Sequence, residues 1–128
     1  MYMHPLERMK KIHLWIGFTS KTEKEYEEYF DQDSNTSQFG KDIGIEEYDE
    51  DFIGIIPLFE QEVDVNDILD EIPIDDDCIE SVLSECKRLD IEKVNAVFYL
   101  TDASVEITKP YKENYNGIKY IGLFDSSL

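Results

Sequence analysis

Short, largely apolar runs predict the strands of this chain. The run over residues 11–18 is largely apolar on both sides, and residues 94–100 are apolar and β-rich, which is typical of strands inside a sheet. Residues 51–56 predict another strand, and Pro57 marks where it leaves the ladder. Residues 118–124 predict the last strand.

A helical repeat of apolar residues appears in three other segments. The first, over 20–31, is predicted to begin at Ser20, because Glu23 completes the spacing of a capping box. The second covers 64–71 and stops before a proline. The third covers 75–88. Residues 31–44 are rich in Asp, Asn, Ser and Gly and are predicted to form a loop, so we expect helices only in these three places.

The third helix has a clear start and a clear end. Asp75 is predicted to be its N-cap, with Ile74 and Ile79 packed together as a hydrophobic staple. Lys87 and Arg88 lie at the other end, where cations complement the helix dipole. We therefore assign this acidic segment a structural role first.

The element order is β-α-β-α-α-β-β, with a long loop over 101–117 that could hold a short strand at 104–108. Helical crossovers predict parallel strand pairs, and the final pair could be antiparallel. The expected fold class is α+β, a single-domain mixed sheet of about four to five strands packed with about three helices. We expect residues 1–8 to form a flexible N-terminal extension and residues 9–128 a single globular domain.

The composition narrows the function classes. The chain has 128 residues, 41% apolar residues and a net charge of −18, which suits one well-filled domain and disfavours binding to nucleic acid. No apolar run approaches a membrane span or a signal-peptide core. The two cysteines do not make a disulfide framework. We expect a cytoplasmic protein that binds neither nucleic acid nor membrane.

The negative charge is concentrated in one third of the chain. Residues 42–86 hold 17 of the 30 acidic residues and neither lysine nor arginine. Its densest part is the acidic block, which consists of Glu46, Glu47, Tyr48, Asp49, Glu50 and Asp51. Such a block can be a metal loop, a solvated turn or a surface for a basic partner.

A metal loop or a catalytic centre has little support. Four residues fit positions 1, 3, 6 and 12 of a calcium loop: Asp49, Asp51, Gly54 and Glu60. Ile53 and Pro57 stand at positions 5 and 9 and break the pattern. His13 has the setting of a packed strand residue, and acidic neighbours disfavour an activated thiol at Cys78 or Cys86. We expect no enzyme activity, no catalytic residues, no metal and no cofactor.

The choice between a turn and a partner surface depends on the setting of the acidic block. The block precedes a strand, so no helix dipole offsets its mutual repulsion, and Tyr48 adds a ring of the kind enriched at interfaces. A solvated turn is the common outcome for a charge run. The sequence nevertheless favours partner binding through Glu46, Glu47, Tyr48, Asp49, Glu50 and Asp51.

Five segments resemble the immunity protein 22 family of bacterial polymorphic toxin systems: KIHLWIGFTS, EYEEYF, FGKDIGIEEYDEDFIG, VFYLTDASVEI and NYNGIKYIGLF. The resemblance covers about residues 9–126. It implies a small cytoplasmic protein, without enzymatic activity, that binds and neutralises a cognate toxin domain. The charge predicts that this domain is basic, as nuclease domains are. The alternatives are an acidic adaptor domain unrelated to toxins and, more distantly, a hydrolase with paired carboxylates.

Overall fold

The order and length of the strands set the framework of the molecule. In a computed structural model of the chain, the residues described are 7, 9–32, 37–44, 52–102, 107 and 117–127. They form the strands β1 (Lys11–Gly17), β2 (Ile53–Ile55), β3 (Val63–Asp64), β4 (Lys93–Val94), β5 (Ala96–Leu100) and β6 (Ile118–Asp125). They also form the helices α1 (Glu23–Glu28), α2 (Gln38–Ile43), α3 (Val65–Ile68) and α4 (Ile79–Arg88). Two 3₁₀ turns, Leu69–Glu71 and Asp76–Cys78, extend α3 and precede α4.

Four strands make the main sheet, in the order β2-β5-β1-β6, and β3 pairs with β4 in a separate ribbon. The α+β class is confirmed. Every strand pair in the described part of the chain is antiparallel, so the predicted parallel pairings are wrong. The expected final pair is also wrong, because β5 and β6 both flank β1 instead of pairing with each other.

The direction of the first crossover explains part of this difference. Both β1 and β2 are antiparallel to β5, so β1 and β2 run in the same direction, as a helical crossover implies. The later strand β5 lies between them and pairs with both. The helical crossover therefore predicts the relative direction of β1 and β2 correctly. It does not predict that β5 separates these two strands.

One face of the main sheet is covered by aromatic side chains. Trp15 in β1 stacks on Phe98 in β5, with ring centroids 5.0 Å apart and an interplanar angle of 14°. Phe39 in α2 meets Trp15 edge to face at 5.0 Å, and Phe30, just after α1, meets Phe98 at 4.8 Å. Helices of six residues are marginal alone. These ring contacts therefore hold α1 and α2 against the sheet.

The opposite face is aliphatic and lies under α3 and α4. Leu14 and Ile16 of β1 pack there with Ile68 of α3 and with Val82 and Cys86 of α4. All five side chains are fully buried. The sheet thus lies between two helical layers, with α1 and α2 on one face and α3 and α4 on the other.

The first two helices differ from the sequence prediction. The helix α1 is capped by Thr22, whose side chain accepts from the Glu25 backbone while the Glu25 side chain accepts from the Thr22 backbone. The predicted cap at Ser20 is therefore wrong by two residues. The helix α2 lies in a segment that was predicted to be loop, and Ser37 caps it by accepting from the backbone N–H of Gly40 at 2.9 Å.

The predicted start of the third helix is confirmed. The Asp75 side chain accepts a hydrogen bond from the backbone N–H of Asp77 at 3.0 Å, and a 3₁₀ turn leads from there into α4. Ile74 and Ile79 both belong to the aliphatic cluster. Most of the predicted extension at 1–8 and of the possible strand at 104–108 lies outside the described residues.

Candidate partner-binding surface

The acidic block, Glu46 to Asp51, lies outside the described residues, but the chain on both sides of it is described. Upstream, Ile43 at the end of α2 is buried in the aromatic cluster, and Gly44 ends the helix in the left-handed conformation, with φ of 78°. Downstream, Phe52 is buried in the same cluster. The residues that flank the block are therefore anchored in one aromatic core.

The downstream anchor is tied directly to the sheet. The carbonyl of Phe52 accepts hydrogen bonds from the backbone N–H of Thr101 at 2.7 Å and from its hydroxyl at 2.9 Å. Thr101 is itself buried. The strand β2 begins immediately after this anchor, so the position of β2 is fixed relative to β5.

The segment without lysine and arginine, residues 42–86, exposes further carboxylates on the layer of α3 and α4 in its described part. We call them the helical-layer carboxylates; they are Asp67, Asp70, Glu71, Asp76, Asp77 and Glu80. Two other acids on this layer cap helical turns. Asp64 accepts from Asn66, and these hydrogen bonds, first from the backbone and then from the side chain, lower the pKa of its carboxyl. Asp75 caps the turn before α4. The layer thus uses some acids for structure and exposes the rest.

A groove of about 590 Å³ lies where the end of α4 meets the β3–β4 ribbon, and both signs of charge line it. Lys93 Nζ lies 3.8 Å from the carboxylate of Asp64 across the ribbon. Lys87 and Glu92 add another charge of each sign. The groove therefore carries both signs of charge, unlike the set of helical-layer carboxylates.

The outer edge of β2 is a feature that sequence reasoning missed. Because Phe52 bonds to Thr101 and Gly54 pairs with Tyr99, the backbone groups of these residues point toward β5. Backbone groups alternate along an antiparallel strand, so the N–H and C=O of Ile53 and Ile55 point away from the sheet. Among the described strands, none lies on that side of β2. Pro57 was the only local signal, since proline favours edge strands.

The residues considered for chemistry have structural explanations in the described part of the chain. His13 is buried, and its Nδ1 lies 2.7 Å from the hydroxyl of Tyr120, which confirms the packed position. Both cysteines are free; Cys78 is half-buried and Cys86 is buried. Burial, and secondly the charge of Glu85, raises the pKa of the Cys86 thiol to about 11. Such a thiol is a poor nucleophile.

The fold also explains the glycine of the calcium-loop pattern. Gly54 lies within β2, and a Cβ at this position would be 2.1 Å from the ring of Tyr99. The absence of a side chain at Gly54 therefore leaves room for that ring. Asp49 and Asp51 are outside the described residues. Within the described ranges, no three His, Cys, Asp or Glu side chains come together as a metal-binding group.

Comparisons with known proteins complete the description of this surface. No curated protein and no solved structure matches the chain. None of the described helices combines the length and apolar character that a membrane crossing requires. A family model described as Immunity protein 22 matches residues 12–126, which spans the strands, the helices and the acidic block. The chain therefore belongs to the immunity protein 22 family.

Proposed function

We propose that this protein binds a cognate toxin domain and neutralises it by occupying its surface. The observation that carries the proposal is the family match over residues 12–126, which includes nearly every described element. The protein acts by binding, in the cytoplasm of the cell that makes the toxin, without chemistry of its own. The packed His13 and the buried Cys86 support a role without catalysis.

The charge of the chain suggests the nature of the toxin. With a net charge of −18, the protein attracts cationic surfaces over a Debye length and repels polyanions. Toxin domains that cleave nucleic acid need a basic surface to hold phosphate. We therefore propose a basic toxin domain, of which a nuclease is the best example, as the partner.

The acidic block is the proposed centre of the contact. Residues on both sides of it, Ile43 and Phe52, are anchored in one aromatic core. Tyr48 supplies the amphipathic ring, and Glu46, Glu47, Asp49, Glu50 and Asp51 supply the charge. The helical-layer carboxylates extend the negative field beyond the block.

The test uses the toxin domain encoded beside the gene for this chain, purified in a catalytically inactive form. We expect one-to-one binding in calorimetry, and co-production of this chain should restore growth of cells that make the active toxin. The matched specificity control is a toxin domain of similar net charge that is encoded in an unrelated gene neighbourhood. Tight binding to the cognate domain without growth rescue would favour an adaptor, and no binding at all would contradict the proposal.

A further inference from the structure

The open edge of β2 offers backbone groups in the right arrangement for another strand. Ile53 and Ile55 each direct one N–H and one C=O outward, so a neighbouring strand could make four hydrogen bonds with them. Ile55 adds a side chain that is 37% exposed. Exposed edges of this kind are templates for pairing with another chain.

The other edge of the main sheet is covered at the end of β6. At the end of β6, Asp75 N–H donates to the carbonyl of Asp125 at 2.9 Å, and Ser127 N–H donates to the carbonyl of Pro73 at 3.0 Å. The pairing of β6 with β1 also contains a register shift between Leu14 and Trp15, which marks a bulge. Covering segments and bulges are the usual protection of edges. The residues Ile53–Ile55 of β2 have neither in the described part of the chain.

The charge of the chain decides which occupant suits the edge. Pairing β2 with β2 of a second copy would bring two chains of net charge −18 together. The acidic block directly precedes this edge in the sequence, and the exposed Glu60 and Glu62 follow it. A strand that carries lysine and arginine gains from these charges instead.

Resting on the proposed function, we propose that the outer edge of β2 pairs with an extended, basic segment of the toxin domain. The segment becomes a fifth strand of the main sheet. The backbone of Ile53 and Ile55 fixes its register, and the net negative charge of the chain attracts its basic side chains. The main-chain bonds supply affinity and the charges supply the choice of partner.

Amide hydrogen exchange on the complex tests this arrangement residue by residue. The probe is the inactive toxin domain encoded beside this gene. The outward amides of Ile53 and Ile55 should exchange at least about tenfold more slowly in the complex than in the free protein. The amide of Gly54, which points toward β5, is the internal control and should change little. Binding without protection at Ile53 and Ile55 would overturn the inference and leave the proposed function standing.

Two other outcomes are also decisive. No binding would overturn the proposed function and this inference with it. If Ile53 and Ile55 became protected in the protein alone as its concentration rises, a second copy would be the occupant and the inference would be wrong.

A pair of proline variants gives an independent measurement. Ile55→Pro removes one outward N–H without removing a hydrogen bond to β5, so it should raise the Kd for the toxin domain roughly tenfold or more. Leu123→Pro is the matched control, because Leu123 is two residues from Asp125 and also points its backbone outward, on the protected edge. It should leave the Kd unchanged.

Ile55→Ala separates the side chain from the backbone. It keeps the outward N–H and should bind more tightly than Ile55→Pro. Retained slow exchange at Gly54 in each variant verifies that β2 still pairs with β5. Equal losses for Ile55→Pro and Leu123→Pro, or for Ile55→Pro and Ile55→Ala, would contradict backbone pairing at β2.

Discussion

The two edges of the main sheet are closed to different degrees. At the β6 edge, the segment at Pro73–Asp75 bonds to the end of the strand, and the side chain of Lys119 donates to the carbonyl of Leu89 at 2.9 Å. At the β2 edge, Ile53 and Ile55 point their backbone groups outward, and the acidic block comes shortly before them in the sequence. The covered end of β6 serves stability, whereas the described part of the β2 edge leaves outward backbone groups open to another strand. This difference suggests where a partner docks.

The largest expected effect concerns the core beneath the open edge. Phe98 is opposite Ile55 in the β2–β5 pair and lies fully buried among aromatic rings. Phe98→Ala should lower the free energy of unfolding by roughly 3–5 kcal/mol. Phe124→Ala, at the half-buried residue on the β6 edge, is the matched control and should cost clearly less. Urea denaturation measures both, and equal losses would contradict the difference in burial between Phe98 and Phe124.

The second effect is on binding at the acidic block. Tyr48→Ala should raise the dissociation rate of the toxin complex and cost roughly 2 kcal/mol of binding free energy if the ring is an interface anchor. Surface plasmon resonance measures the rate, with Tyr48→Phe as the conservative control. An unchanged dissociation rate for Tyr48→Ala would remove this residue from the interface.

The third effect is a pH dependence of stability that comes from Cys86, which lies in α4 on the aliphatic face of the sheet. Burial raises the pKa of the Cys86 thiol to about 11 from its ordinary value of 9.0, so above pH 9 the unfolded chain loses this proton before the folded chain does. Stability is therefore fully present below pH 9 and falls by up to about 2 kcal/mol as the pH rises toward 11. Cys86→Ala should remove this part of the loss in thermal unfolding. An identical pH profile in the variant would contradict it.

The smallest effect separates a structural acid from an interface acid. Asp75→Ala removes the cap before α4 and should cost about 1 kcal/mol of stability. Its backbone N–H still donates to Asp125, so the β6 edge stays closed and the affinity for the toxin should be nearly unchanged. A sharp loss of affinity at unchanged stability would show that Asp75 belongs to the interface.

Local signals explain which parts of the fold could be predicted. The runs at 11–18 and 94–100 and the cap at Asp75 depend on neighbours in sequence, and the structure has strands and a helix start there. Two capping boxes overlap near α1, Ser20 with Glu23 and Thr22 with Glu25, and local spacing cannot choose between them. The structure uses the second.

Long-range pairing explains what could not be predicted. The helix α2 has only six residues in a segment rich in loop residues, and the contacts of Phe39 with Trp15 hold it in place. The place of β5 between β1 and β2 depends on strands that are distant in sequence. The open edge follows from that strand order, so no local pattern could predict it. The block at 46–51 was identified from its charge, from Tyr48 and from its place before a strand, and it stays a prediction.

The central claim is that the acidic block steers and holds a basic toxin domain, and stopped-flow association tests it most directly. Glu47→Lys with Glu50→Lys should slow association with the toxin domain roughly tenfold or more at low salt, and the difference should shrink as the Debye length falls to about 10 Å and below. The control is Glu27→Lys with Glu28→Lys, at two exposed residues of α1. It changes the net charge by the same amount and should slow association much less. If the block variant associates at the wild-type rate in low salt, or no more slowly than the control, the block is a solvated turn and the partner binds elsewhere.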